Sequence, residues 1–289
     1  MKKVAVIPVI RKFDDTLSTV STVEMFIDNG AEVWMEDVHK GELYAFKAAL
    51  ADSDTVYKDS ELIVALGGDG TILRAAEKAL KYDVPVLGIN LGRLGYMAEL
   101  ETSELGLINN IFKGEYSIEK RMTLSVGIVS TDGKYIHLGD VLNDVVIGRG
   151  KYAHCIDIDL LADSKMVRTI RSDGLIIATP TGSTAYSMAA GGSVLDPTLE
   201  CICATPIVPT SRYACPVVFS GNSVIEVVHS DDRVDEWSLV LDGEDKASLR
   251  HGEKLIIKRS PKAVKMISLK NEGFFETLNK KISKYELKN

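Results

Sequence analysis

The pentapeptide GGDGT at residues 67–71 combines residue types that suit phosphate chemistry. Its glycines have no Cβ atom, so a phosphate can approach the backbone closely, and a helix that begins there adds free N–H groups for an anion. A carboxylate such as Asp69 repels phosphate unless it binds a metal ion or accepts a proton from an attacking hydroxyl. The pentapeptide therefore indicates phosphoryl transfer. The alternative is a tight turn that only joins a strand to a helix.

A second run of polar residues, TPTGSTAYSMAAGG, covers residues 179–192. The pattern predicts a buried strand before it and a short helix within it. Thr181, Ser183 and Thr184 can cap that helix, which is the alternative interpretation, but three hydroxyls exceed the needs of one cap. Together with Tyr186, they favour a nucleoside or phosphate ligand at the start of the helix.

Asn143 and Asp144 place an amide beside a carboxylate within an apolar stretch. In a regular strand the two side chains lie on opposite faces. Buried polar groups need partners, and the hydroxyls of a sugar would satisfy both side chains. The alternative is a turn or bulge between two strands.

Another glycine-rich loop follows a predicted strand at residues 88–96. Its Arg93 is a candidate phosphate contact or a solvated loop charge, because a single arginine carries little specificity. Its Tyr96 is a candidate for stacking on a base, or else a core aromatic.

The apolar patterns divide the chain into two parts. In the first part, strands alternate with helices, which predicts a doubly wound, mostly parallel α/β sheet. The predicted strands are 3–9, 31–35, 62–66 and 84–90, and the predicted helices are 14–29, 43–51, 72–80 and 104–112.

From about residue 115–120 onward, short β-rich segments predict a mostly antiparallel β domain. These segments are 123–129, 141–147, 156–161, 175–179, 224–228, 237–241 and 254–258. A final strand at 266–269 and a helix from Phe274 are expected to return to the first domain.

The composition excludes several classes of function. A net charge of −7 and a pI near 5.4 argue against broad binding to nucleic acids or anionic membranes. The sequence shows neither a signal peptide nor a membrane-spanning stretch, so a cytoplasmic protein is expected. The four cysteines form no CxxC pair, which favours buried, reduced thiols over a zinc site.

Taken together and in this order, GGDGT, Asn143-Asp144 and TGSTAYS resemble the NAD kinase family. GGDGT alone is also shared with diacylglycerol and sphingosine kinases, whereas TGSTAYS is much more specific. The resemblance runs over most of the chain and includes residues 94–96, 205–207 and 241–243, as well as the phenylalanine-rich C-terminal helix.

The resemblance implies transfer of a phosphoryl group from ATP, or from inorganic polyphosphate, to the 2′-hydroxyl of the adenosine ribose of NAD, giving NADP. It implies that residues 1–116, with about 263–289, form a nucleotide- and phosphate-binding domain, and that residues 117–262 form an NAD-binding domain. Asp69 would be the catalytic base or orienting carboxylate. The phosphate loop would comprise Gly67, Gly68, Gly70 and Thr71. The residues expected to bind NAD are Tyr96, Asn143, Asp144, Asp173, Thr181, Thr184, Ala185, Tyr186 and Ile207.

The resemblance also implies a homodimer or homotetramer, in which Asp173 acts from a neighbouring subunit. Mg²⁺ is expected as the cofactor, held mainly by the phosphates of the donor and by water rather than by a dedicated protein site. Neither nucleic acid nor a membrane is expected as a partner.

Two other functions are compatible with parts of the pattern. A lipid kinase of the diacylglycerol type shares GGDGT but needs a membrane-facing apolar or basic surface, of which the acidic composition gives no sign. A non-catalytic sensor would bind NAD or NADP through the same loops without turnover.

Overall fold

A computed structural model describes residues 1–10, 13–37, 47–91, 95–151, 154–229, 231, 233, 235–270 and 272–286. The chain forms two compact units, one of residues 1–120 and 264–289 and the other of residues 121–263. It passes from the first unit to the second within strand β7 (Ser117–Val129) and returns within strand β18 (Lys254–Ser268).

The first unit is built on a parallel sheet. Its other strands are β1 (Lys3–Pro8), β2 (Glu32–Glu36), β3 (Ala49–Ala51), β4 (Leu62–Gly67), β5 (Val86–Asn90) and β6 (Leu100–Glu101). Its helices are α1 (Phe13–Asp28), α2 (Ser53–Tyr57), α3 (Asp69–Tyr82), a 3₁₀ helix (Thr102–Leu107), α4 (Ile108–Lys113) and α6 (Phe274–Glu286). The strand order β3-β2-β1-β4-β5 is parallel throughout, as the sequence predicts.

This strand order determines where a ligand can bind. Strand β1 pairs with β2 on one side and with β4 on the other, so the order of the strands reverses between β1 and β4. In doubly wound sheets, ligands bind at the carboxyl ends of the strands at such a reversal. The GGDGT pentapeptide follows β4 directly and therefore lies at that position.

The C-terminal segment belongs to the first unit, as expected. Met266, near the end of β18, pairs in parallel with Val86 of β5. The Glu99 carboxylate accepts hydrogen bonds from the backbone N–H groups of Leu269 (2.7 Å) and Lys270 (2.8 Å), which fixes the chain just before α6.

The second unit consists almost entirely of antiparallel strands, which confirms the predicted class. Its further strands are β8 (Tyr135–Val141), β9 (Asp144–Gly148), β10 (Ile156–Ala162), β11 (Lys165–Ser172), β12 (Gly174–Ala178), β13 (Cys201–Ile207), β14 (Val217–Ser220), β15 (Ile225–His229), β16 (Glu236–Leu241) and β17 (Glu244–Arg250). One sheet has the order β14-β13-β12-β9-β16-β17, and another series pairs β11, β10, β15 and β18. Their inward-facing Val, Ile and Leu side chains form one core around the fully buried Trp237.

Two predicted elements are wrong. A helix is expected at 43–51, but residues 49–51 form strand β3, which pairs with β2. Tertiary pairing thus overrides the helical pattern there. Residues 43–46 lie outside the described residues. The strand expected at 141–147 is two strands, β8 and β9, with a break at residues 142–143. The pattern predicts no strand where the structure has β11, β13, β14 and β17.

The thiols also differ from the expectation of burial. All four cysteines are free, but only Cys203 is buried, Cys155 and Cys201 are half-buried, and Cys215 is exposed. Among the helices of the described residues, none is long and apolar enough to cross a membrane.

Candidate active site

The GGDGT turn packs tightly at one residue and is open at two others. Gly67 ends β4, and a Cβ atom added to it would lie 2.2 Å from Thr71 Oγ1, so this position requires glycine. A Cβ atom added to Gly68 or Gly70 would have no heavy atom within 4 Å among the described residues. The backbone of these two glycines is therefore accessible to a ligand, as a phosphate loop requires.

Asp69 is the first residue of α3, and its carboxylate is held by backbone groups. Its Oδ2 accepts a hydrogen bond from the N–H of Tyr96 (2.9 Å), and its Oδ1 accepts one from the N–H of Met97 (3.0 Å). A carboxylate oxygen can accept about two hydrogen bonds, so each oxygen keeps a free acceptor site. Asp69 is half-buried, and thus its side chain is oriented by the protein yet reachable by a hydroxyl.

Tyr96 contributes its backbone to the site, since its N–H donates a hydrogen bond to Asp69. Stacking of its ring on a base stays a prediction, with a core aromatic as the alternative. Arg93, the candidate phosphate contact, lies outside the described residues.

The second unit contains a group of polar residues that we call the polar recess, formed by the buried Asn143, Asp144, Thr179 and Thr181 and the half-buried Asp242. The Asp242 carboxylate accepts hydrogen bonds from three consecutive backbone N–H groups, at Leu142 (2.7 Å), Asn143 (2.8 Å) and Asp144 (3.1 Å). The N–H of Asp242 donates in turn to the carbonyl of Asp144 (3.0 Å). The break between β8 and β9 is therefore a defined structure rather than an irregular turn.

The other side of the recess comes from the chain after β12. Thr179 donates its N–H to the carbonyl of Asn143 (2.9 Å) and its hydroxyl to the carbonyl of Leu142 (2.6 Å). A Cβ atom added to Gly182 would lie 2.1 Å from the Asn143 carbonyl oxygen, so only glycine fits there. These contacts bring the motifs at 143–144 and 179–186 together, although the sequence separates them by more than thirty residues.

Two polar atoms of the recess lack a hydrogen-bond partner among the described residues. They are Asn143 Oδ1 and Thr181 Oγ1, and both are buried. An unsatisfied buried polar group costs about 1–3 kcal/mol, so these two atoms are candidates for a hydrogen bond to a ligand or to water. By contrast, the Ser183 hydroxyl donates to the Pro180 carbonyl (2.6 Å) and has a structural role.

The surroundings raise the pKa of both carboxyl groups of the recess. Burial, together with the nearby charge of Asp242, raises the pKa of Asp144 to about 7. Burial also raises the pKa of Asp242, and its three N–H donors oppose that shift. Near neutral pH, Asp144 is thus present in both protonation states and can either donate or accept a hydrogen bond.

Comparison with known proteins identifies the family. Residues 27–116 match the family model for the ATP-NAD kinase N-terminal domain, and residues 142–269 match that for the ATP-NAD kinase C-terminal domain. The chain is 37% identical over 284 residues to an NAD kinase of Caldanaerobacter subterraneus subsp. tengcongensis, an alignment that covers 98% of this chain and 99% of that protein. The chain belongs to the NAD kinase family.

More distant members of the NAD kinase family agree. An NAD kinase of Legionella pneumophila is 31% identical, with 94% of this chain and 89% of that protein covered. The crystal structure of an NAD kinase from Archaeoglobus fulgidus in complex with ATP matches with a TM-score of 0.74 and 29% identity, covering 97% of this chain and 98% of that one. The structure of yeast NADH kinase complexed with NADH shares the fold, with a TM-score of 0.89 at 22% identity, covering 98% and 88%. The matches to NAD kinases at 29% identity or more favour NAD phosphorylation over a lipid kinase activity.

Not all residues that the NAD kinase resemblance indicates lie at the recess. Thr184 and Ala185 close the 3₁₀ helix Thr181–Thr184, and Tyr186 begins helix α5 (Tyr186–Ala189) with 46% of its surface exposed. Asp173 and Ile207 lie instead at the other end of β12, where the Asp173 N–H donates to the Ile207 carbonyl (2.9 Å). An ion pair of 3.0 Å joins Asp173 to Arg149.

Two residues with a role at these sites were not among the expected ones. Asp242 lies in a segment that resembles the NAD kinase family, but only the fold shows that its carboxylate holds the 142–144 backbone. Lys281 of α6 donates to the carbonyl of Ala98 (3.4 Å), next to the amides that hold Asp69. No local pattern could have paired Lys281 with a turn more than 180 residues earlier in the chain.

Proposed function

We propose that this member of the NAD kinase family transfers the terminal phosphoryl group of ATP to the 2′-hydroxyl of the adenosine ribose of NAD, giving NADP and ADP. The observation that carries the proposal is the Asp69 carboxylate, which two backbone N–H groups orient and which retains free acceptor sites at the carboxyl edge of a parallel sheet. Inorganic polyphosphate is the alternative donor.

In this mechanism, Asp69 accepts the hydrogen bond of the attacking 2′-hydroxyl and takes its proton as the bond to phosphorus forms. Phosphoryl transfer demands positioning and charge stabilisation rather than covalent participation of the protein. The accessible backbone at Gly68 and Gly70, with Gly67 and Thr71 supporting the turn, would receive the phosphates.

The polar recess would bind polar groups of the dinucleotide. Asn143 Oδ1 would accept a hydrogen bond and the Thr181 hydroxyl would donate or accept one, since both atoms lack partners among the described residues. Asp144 would take part through either of its protonation states. Thr184, Ala185 and Tyr186 would form the wall of the nucleoside pocket.

Mg²⁺ would be bound mainly by the phosphates of ATP and by water. Among the described residues, no group of three or more His, Cys, Asp or Glu side chains is placed to hold a metal ion, and the oxygen donors that Mg²⁺ prefers are those of the phosphates. When bound, the ion would neutralise charge that develops on the transferred group.

The position of Asp173 is compatible with a homodimer or homotetramer in which it acts on a neighbouring subunit's ligand. Asp173 precedes β12 and Thr181 follows it, so the two are separated by the length of a five-residue strand, about 17 Å at about 3.3 Å per residue. A contact of both residues with one small group within a single copy is therefore not expected.

The test is an end-point assay of purified protein with NAD, ATP and Mg²⁺, with NADP read through an NADP-specific dehydrogenase. We expect NADP to form in proportion to ADP, and a parallel reaction with polyphosphate tests the alternative donor. If NAD bound by calorimetry without any NADP being formed, the protein would be a dinucleotide sensor. Absence of both binding and turnover would contradict the proposal and direct attention to lipid acceptors.

A further inference from the structure

Asn90 ends β5 directly beside the GGDGT turn. In the parallel pairing of β4 and β5 it stands opposite Gly67, and in the pairing with β6 it stands opposite Glu101. Its side chain is 3% exposed. Its Nδ2 donates to the Glu101 carboxylate, at 3.1 Å from Oε1 and 3.0 Å from Oε2. A flipped amide would turn Oδ1 toward that carboxylate, so Glu101 fixes the direction in which Asn90 Oδ1 points.

Asn90 Oδ1 is therefore a fixed acceptor, and it has no hydrogen-bond partner in the part of the chain that the structure describes. Leaving such a group unsatisfied in a buried position costs about 1–3 kcal/mol. Because Asn90 lies at the end of β5 beside the proposed base Asp69, we infer that a ligand donates the missing hydrogen bond to Asn90 Oδ1.

Gly95 shows that Asn90 Oδ1 and Asp69 face a common space. A Cβ atom added to Gly95 would lie 3.0 Å from Asp69 Oδ1 and 3.9 Å from Asn90 Oδ1. The two oxygens thus lie around the same point, which the absent side chain of Gly95 leaves open. Both are acceptors, so they would repel a phosphate oxygen and suit a pair of neighbouring hydroxyl donors.

We propose that Asn90 Oδ1 accepts a hydrogen bond from the 3′-hydroxyl of the same ribose whose 2′-hydroxyl faces Asp69. This inference rests on the proposed function and adds a residue that recognises the acceptor sugar. Asn90 and Asp69 together bind the vicinal diol, and Glu101 is a positioning residue that keeps the amide in the required orientation.

The experiment compares NAD with its analogue that lacks the 3′-hydroxyl of the adenosine ribose. Calorimetry measures the binding of both ligands to the wild type and to Asn90→Ala, and a melting curve confirms that the variant is folded. We expect Asn90→Ala to weaken NAD binding by roughly 5- to 100-fold, the loss of one buried hydrogen bond. The 3′-deoxy analogue should bind to both proteins with about equal affinity, because it cannot make the contact.

A proportionate loss for both ligands, or no loss for NAD, would contradict the role of Asn90. If Asn90→Ala failed to fold, the affinities of the wild type for NAD and for the 3′-deoxy analogue would test the inference. Equal affinities would overturn it. The analogue retains its 2′-hydroxyl, so its phosphorylation by the wild type tests the proposed function separately. If the wild type makes NADP but binds NAD and the 3′-deoxy analogue equally well, only the Asn90 contact is refuted. If the wild type neither binds nor phosphorylates NAD, both the Asn90 contact and the proposed function are refuted.

Discussion

The pKa of Asp144 depends strongly on the surroundings of its carboxyl group. Buried near Asp242, its carboxyl group has a pKa of about 7 in the folded protein. In an unfolded chain an aspartate ionises near pH 4. Between about pH 4 and pH 7 the folded state therefore binds more protons than the unfolded state, so this group lowers stability as the pH rises through that window.

Asp144→Asn should remove this pH dependence. The variant should melt at about the same temperature as the wild type near pH 4 and at a higher temperature near pH 8. The reason is that only the wild type loses stability as the pH rises, with a limiting slope of about 1.4 kcal/mol per pH unit. Melting curves of the ligand-free proteins from pH 4 to pH 8.5 measure it. Asp245→Asn, at an exposed position of β17, is the control. Parallel pH curves for the wild type and Asp144→Asn would show that Asp144 ionises normally.

Helix α6 contributes a charge to a turn that is remote in sequence. It places the half-buried Lys281 so that its ammonium group donates to the carbonyl of Ala98. Burial lowers the pKa of Lys281, while the negative charges of Asp69 and Glu101 oppose that shift. The ammonium group therefore compensates two carboxylates at the place where the phosphates of the donor would arrive.

Lys281→Met should raise the KM for ATP roughly tenfold, a change of about 1.4 kcal/mol, because the anionic donor then meets uncompensated carboxylates. Steady-state kinetics with ATP and NAD varied separately would measure it. Lys281→Arg should restore most of the affinity. Lys280→Met is the matched control, since the neighbouring Lys280 pairs with Glu272 and Glu276 at the surface and should leave both KM values unchanged. Equal effects of the two methionine substitutions would contradict a role for the Lys281 charge.

The elements also show which parts of the fold the sequence can predict. Strand β4 and helix α3 follow from their local apolar spacing, which agrees with their tertiary environment. Strand β3 could not be predicted, because its three residues are set by pairing with β2 rather than by their own pattern. The break at 142–143 agrees with the alternative of a turn or bulge that the sequence offers there. The part played by the Asp242 carboxylate, about a hundred residues later in the chain, could not be predicted.

At the scale of the whole molecule, the division into an α/β part and an antiparallel part was predictable, because strand and helix periodicities change near residue 117. The candidate site motifs were predictable for the same reason, because each is a short local pattern at a strand end. The contacts of Asp242 and Lys281 were not predictable, because each joins segments that are distant in sequence. The contact of Asn90 with Glu101 depends on the pairing of β5 with β6.

The central claim is that Asp69 takes the proton from the 2′-hydroxyl of NAD, and turnover of Asp69→Asn tests it most directly. Asparagine keeps the size of the side chain but removes its basicity. We expect kcat to fall by roughly two to four decades, the usual effect of losing a general base. NAD binding by calorimetry should stay close to the wild type. The melting temperature should fall modestly, because the asparagine NH2 group cannot accept one of the two N–H hydrogen bonds that Tyr96 and Met97 donate.

Glu77→Gln, an exposed position on the same helix, is the control and should keep full activity. The assay is NADP formation from NAD and ATP with Mg²⁺, with the three proteins compared at equal concentration. We expect NADP formation to be almost abolished in Asp69→Asn and unchanged in Glu77→Gln. Near-normal turnover of a folded Asp69→Asn would contradict the role of Asp69 as the base.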